Sequence, residues 1–245
     1  MEINDLKKIF RPIYYLCFDG LRVKIKKPAP LAGLKWIIHH RFGRAYYKGY
    51  YEPEIVSFLI NEVTNGDCFF DIGGHAGYFT YLFSKLSPSG NVFTFEPDPE
   101  NVKFISQIIL LNEIINVQVV QTAVGNENGS LFLEPGLTSS MGRIVKRGEV
   151  PVPVVKIDDF VSKTKIERVD FMKIDVEGFG GEVLKGASNT IKTFRPRILM
   201  ELHSPGNERD ILSGLSEMDY TFFNLQGQST DINEMSCRFY LAKPS

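Results

Sequence analysis

The run Asp67-Cys68-Phe69-Phe70-Asp71-Ile72-Gly73-Gly74-His75-Ala76-Gly77 decides how the rest of the chain is read. Residues 68–72 are a short apolar stretch closed by glycine, the mark of a strand buried on both faces. Behind the glycines, Tyr78, Phe79, Leu82, Phe83 and Leu86 recur at helical spacing until Ser87-Pro88-Ser89-Gly90 stops them. A strand, a glycine turn and a helix in that order form a turn where a ligand can approach bare backbone.

The same alternation continues outward. Residues 92–95 predict a second strand, and Asp98 followed by Pro99 predicts a capped helix through Val102, Ile105 and Ile109. Residues 117–120 and 169–174 predict two more central strands, with further strands at 130–133, 152–157 and 197–203. Helices are expected near 52–63, 182–187 and 210–218, and strands 220–224 and 238–242 close the chain as an antiparallel pair. Such alternation predicts an α/β fold with a mostly parallel sheet and helices on both faces. Ligands of such sheets sit beyond the carboxyl ends of the strands. That rule singles out residues 71–77, Glu96, the stretch around Ala123, residues 175–178 and residues 201–203.

With 245 residues, 43% hydrophobic and 23% charged, the chain is neither collagen-like, disordered nor a disulfide scaffold. No apolar run reaches the ~18–20 residues that cross a bilayer, and the N-terminus has no signal-peptide pattern. Cys17, Cys68 and Cys237 are far apart and odd in number, which predicts reduced thiols in a cytoplasmic protein. The net charge of −1 hides an asymmetry. Residues 1–50 carry 11 Lys and Arg against 3 Asp and Glu, and residues 51–245 carry 17 against 26. A basic, aromatic-rich N-terminal extension (1–50) is therefore expected before the main domain (51–245). Its charge suits a membrane surface, a nucleic acid, an anionic substrate, or simple packing on the acidic body.

The turn is not a dinucleotide GxGxxG, because His75 stands where the second glycine must be, and it lacks the ending of a P-loop. A bulky residue there disfavours NAD and FAD. The amino-acid end of S-adenosylmethionine carries no phosphate and tolerates it, with Asp71 facing the ammonium and the amides of Gly73, Gly74, His75 and Gly77 facing the carboxylate. Glu96, 23 residues after Gly73 and followed by Pro97, lies near the roughly 20-residue spacing at which an acid meets ribose hydroxyls. The plain alternative is a tight turn and a solvated strand end.

Residues 71–80 (DIGGHAGYFT), Phe95-Glu96-Pro97, Ala123-Val124-Gly125, Ile157-Asp158, residues 173–178 (KIDVEG), Leu184-Lys185-Gly186 and residues 196–201 resemble the FkbM family of S-adenosylmethionine-dependent methyltransferases. The match runs from about Asp67 to Asn224. It implies a class I methyltransferase (Rossmann-like) fold with a seven-stranded sheet, and methylation of a hydroxyl on a sugar or other secondary-metabolite acceptor. The chain departs from the family pattern at His75, usually Asn, and at Gly180, usually Glu.

Methyl transfer to oxygen needs alignment with the C–S bond and removal of the hydroxyl proton. Lys173, Asp175 and Glu177 share a face if their strand persists, and His203 ends the neighbouring strand, so these four are the catalytic candidates. Each has a structural alternative: the two acids as charges at a helix start, Lys173 as a partner of an acid, His203 as a turn residue. No metal is expected, although Asp175 would suit Mg²⁺ in a metal-dependent enzyme. Tyr78 and Phe79 read as core, and the aromatic segment 46–51 reads as an acceptor lid, as packing or as an oligomer contact. The expected partner is a small-molecule or glycan acceptor, not a nucleic acid. A nucleic-acid methyltransferase and a binding module without turnover are the competing readings, and homo-oligomerisation stays open.

Overall fold

The computed structural model describes residues 17–134, 143–145, 147–148, 150–202, 212–235 and 239–245. In chain order, a short hairpin of β1 (Arg22–Lys24) and β2 (Lys35–Ile37) precedes α1 (Ala45–Lys48) and α2 (Pro53–Glu62). Then come β3 (Phe69–Ile72), α3 (Tyr78–Leu86), β4 (Val92–Phe95), α4 (Pro99–Leu111) and β5 (Val117–Val120). β6 (Ala123–Val124), β7 (Gly129–Glu134), β8 (Arg143–Val145) and β9 (Val150–Val155) follow. The chain ends through α5 (Ile157–Thr164), β10 (Phe171–Ile174), α6 (Gly180–Gly186), α7 (Ser188–Phe194), β11 (Arg197–Glu201), β12 (Tyr220–Phe223) and β13 (Phe239–Pro244).

Seven strands form one sheet in the order β12-β13-β11-β10-β3-β4-β5. All run parallel except β13, which pairs antiparallel with both β11 and β12. The expected mostly parallel sheet and closing antiparallel pair are both present. Alternate residues of each strand enter two different cores. Phe69, Phe171 and Leu199 pack with α2, α3 and α4 on one face. Phe70, Met172 and Ile198 pack with α5, α6 and α7 on the other. That double burial is why the strands read as continuous apolar runs.

Two strand expectations change. The strands near 130–133 and 152–157 lie in a separate four-stranded sheet, β6-β9-β7-β8, with its own small core of Ala123, Leu133, Val152 and Val154. β9 also stops at Val155, because Ile157 already opens α5. Asp98 caps α4 as its sequence suggests, accepting the Glu100 N–H at 2.8 Å.

Residues 17–50, set apart in the sequence by charge, contribute Ile25, Leu31, Leu34, Trp36, Phe42 and Tyr46 to the core on the α3 face. Trp36 stacks on Tyr46 at 5.7 Å and meets Tyr81 of α3 and Phe104 of α4 edge-on. Cys68 is a buried free thiol, Cys17 an exposed one, and Cys237 lies outside the described residues.

Candidate active site

The glycine turn between β3 and α3 is crowded at each of its glycines. Gly73 has φ +86°, and a Cβ there would lie 2.0 Å from the carbonyl oxygen of Asp175. The two loops are that close because the Asp175 N–H donates to Ile72 O at 3.0 Å. Gly77, at φ +77°, sets the entry to α3, and Gly74 abuts Thr94. His75 adopts φ +48° in the left-handed region, where His and Asn are among the better-tolerated side chains. Its N–H donates to Glu96 Oε2 at 2.7 Å, Nδ1 lies 3.0 Å from the Tyr46 hydroxyl, and its ring meets Phe42 edge-on.

Burial pushes the His75 imidazole down to about 4. The unfolded chain takes up this proton below about 6.5 and the folded one only near 4, so the stability His75 contributes is present above 6.5 and lost as pH falls through that window. His75→Asn keeps the left-handed position and removes the titrating ring. In urea melts it is expected to lose less stability than the wild type between pH 6.5 and pH 4. Parallel losses would show that the ring does not titrate there.

Glu96 follows β4 and is 5% exposed. Besides His75, it accepts the Asp98 N–H at 2.9 Å and the Asn101 amide at 3.2 Å. Burial pushes its carboxyl up to about 7 against these donors. Arg41, from the N-terminal segment, donates to Asp98 and to Asn101, and Pro97 is half-buried between these groups.

A second cluster lies on the α3 face, at the carboxyl ends of β3, β10 and β11. Lys173, 1% exposed, stands opposite Asp71 in the β10–β3 register. Its Nζ donates to Asp175 Oδ2 at 3.1 Å and lies 3.7 Å from Asp71 Oδ1. Asp71 is wholly buried, and Oδ2 accepts the Thr80 hydroxyl at 2.6 Å. Burial works against the Lys173 cation, but Asp175, Asp71 and Glu52 outweigh it and hold its pKa above the ordinary lysine value. Burial, then the hydrogen bond and charge of Asp175, push Glu201 up to about 9. Glu201 and Asp175 are thus hydrogen-bonded neighbours whose carboxyls titrate together.

The junction of the N-terminal segment with α2 closes this cluster. Glu52 precedes α2 at φ +40°, a strained conformation for glutamate, and burial raises its carboxyl while Lys173 opposes the rise. Tyr51 stacks on Tyr46 at 4.1 Å and meets Tyr78 edge-on at 5.3 Å. Glu52 Oε2, Asp71 Oδ1 and the Tyr78 hydroxyl are buried with no hydrogen-bond partner. Buried polar atoms without a hydrogen bond are rare in folded proteins, and Asp71 Oδ1 has only the Lys173 Nζ, 3.7 Å away, for company.

The structure therefore brings together Lys173, Asp71 and Asp175, and separately His75 and Glu96. Glu177 does not share the strand geometry of Lys173. β10 stops at Ile174 and a turn follows, closed by Phe179 N–H to Val176 O, so the period of two ends and Glu177 is exposed. Ala123 is buried in β6 against Val154. His203 lies outside the described residues. Among the described residues, metal-type side chains converge at Asp19, His39 and His40, in the N-terminal segment, and Asp175 belongs to no such group. Glu52 is absent from the sequence-derived candidates, an acid directly before a helix-opening proline being its one available signal, and Tyr46 was read there only as part of the aromatic segment 46–51. Glu201 was marked by its place at a strand end but given no role.

A parallel sheet with one antiparallel strand beside its edge, a glycine turn after the central strand and an acid after the next make the class I methyltransferase fold. The family model described as Methyltransferase FkbM domain matches residues 71–222, and the chain belongs to that family. It is 24% identical over 170 residues to a hexuronic acid methyltransferase, AglP, of Haloferax volcanii, covering 68% of each chain. It is 23% identical over 145 residues to a 2-O-methyltransferase, NoeI, of Sinorhizobium fredii, covering 51% of this chain and 59% of the relative. The crystal structure of precorrin-6y C5,15-methyltransferase from Geobacter metallireducens superposes with TM-score 0.49 at 14% identity, over 83% of this chain and 93% of that one.

Proposed function

We propose that this methyltransferase uses S-adenosylmethionine to methylate a hydroxyl of a sugar or related small-molecule acceptor. The observation that carries the reading is the set of orphaned buried atoms, Glu52 Oε2, Asp71 Oδ1 and the Tyr78 hydroxyl, beside the Lys173–Asp175 pair. Their carboxylates outnumber the one lysine, an environment suited to the positive charges of the cofactor's ammonium and sulfonium groups. Asp71 and the turn from Gly73 to Gly77 would hold its amino-acid end, and Glu96 its ribose. When bound, the cofactor supplies an electrophilic methyl group.

The chain's residues supply the rest. Asp175 is 24% exposed at the end of β10, the one member of the lysine pair with solvent access. It takes the hydroxyl proton of the acceptor as charge develops. Lys173 neutralises the buried acids around it, and Glu201, hydrogen-bonded to Asp175, orients the Asp175 carboxylate. No metal takes part in this account. Two relatives support the acceptor class: one is named for hexuronic acid and the other for a 2-O position.

Calorimetry with S-adenosylhomocysteine tests the cofactor half. Glu96→Ala is expected to weaken binding by about 1–3 kcal/mol, the scale of a lost charge-assisted hydrogen bond. An unchanged affinity would remove Glu96 from the cofactor site.

A further inference from the structure

We propose that the β1–β2 hairpin is a docking face for an anionic lipid bilayer. From Gly20 to Tyr51 the chain contains no Asp or Glu. In the hairpin, Val23, Ile25 and Trp36 turn towards the core, while Arg22, Lys24, Lys26, Lys27 and Lys35 are exposed. The antiparallel register sets Lys24 directly opposite Lys35 on one face. Like charges in that position destabilise a strand pair. Among the described residues none of these five bases forms an ion pair; Lys35 Nζ reaches only a backbone carbonyl, Leu111 O at 3.4 Å. A face whose mutually repelling cations meet no carboxylate partner among the described residues is stabilised by an external anionic surface.

Two further features favour a bilayer. Leu21, 50% exposed, and Phe18, 42% exposed, sit beside the basic strand and can enter the headgroup layer. The remainder of the molecule is acidic: residues 51–245 carry 26 Asp and Glu against 17 Lys and Arg. Near a negative surface that dipole turns the hairpin inward and the acidic body away. Single-stranded nucleic acid stacks on several aromatic platforms across a basic face, and the aromatic of the two hairpin strands, Trp36, faces inward, stacked on Tyr46.

The test is sedimentation of the full chain with vesicles of mixed phosphatidylcholine and phosphatidylglycerol, beside vesicles of phosphatidylcholine alone. Each base near such a surface raises partitioning about five-fold, so K24E/K26E/K35E is expected to reduce binding to the mixed vesicles at least ~100-fold. Its thermal midpoint should stay within the range of surface substitutions. Where that variant does not fold, K24Q/K26Q/K35Q gives the same readout with a smaller loss. Wild-type binding should also disappear at high salt. Equal binding to both vesicle types, a triple variant that sediments like wild type, or binding of a single-stranded RNA oligonucleotide with no binding to the mixed vesicles would each overturn the proposal. None of these readouts depends on the identity of the methyl acceptor.

Discussion

Asp175→Asn is expected to cut turnover by ~10²-fold or more, the scale for losing a general base. The fold should survive the change, because the loop is held by backbone: Asp175 N–H donates to Ile72 O, and its carbonyl abuts Gly73. Asn retains an oxygen for the Lys173 Nζ, now 3.1 Å from Oδ2, but no longer offers a charge to take a proton. Cofactor affinity should change little, since the turn contacts proposed for it involve other atoms. Calorimetry with S-adenosylhomocysteine and single-turnover rates with the true acceptor separate the two effects. Wild-type turnover in the variant would make the carboxylate structural.

Trp36→Ala is expected to destabilise the protein by about 3–5 kcal/mol, the range for removing a buried large aromatic. Trp36 is 1% exposed and joins Tyr46, Tyr81 and Phe104, so its loss opens a cavity between the N-terminal segment, α3 and α4. Because Tyr46 also reaches His75, the damage should spread to the glycine turn. Urea unfolding by circular dichroism measures it. An unchanged midpoint would mean that the segment rests on the surface and that its packing contributes nothing to the fold.

How much of this was legible in the sequence follows from range. β3, α3, β4 and α4 are announced by local signals: doubly buried apolar runs, a glycine turn, and Asp98-Pro99 at a helix start. The Lys173–Asp71 contact was half visible. Both residues sit on recognisable central strands, but only the parallel register sets them opposite each other. Glu177 shows the limit of periodicity, since the alternation that would have placed it beside Asp175 stops at Ile174. Tyr46, from the N-terminal segment, and Glu52, just beyond it, reach the site through packing that no local pattern encodes. Charge made residues 1–50 look separate, whereas the apolar side chains that tie residues 17–50 to the core are spaced irregularly through a short hairpin and loops. The second sheet was hidden for a similar reason: its strands are short and alternating, and strand patterns do not say which sheet they join.

The central claim is that this site moves a methyl group from S-adenosylmethionine to a carbohydrate oxygen. Its most direct test is incubation of the full chain with S-adenosylmethionine carrying an isotopically labelled methyl, across a panel of neutral and hexuronic-acid glycans. Mass spectrometry and NMR of the products then locate the label. The account predicts a label on a sugar oxygen, with one S-adenosylhomocysteine formed per methyl transferred. A label on nitrogen or carbon, or S-adenosylhomocysteine binding with no transfer to any hydroxylated acceptor, would contradict it.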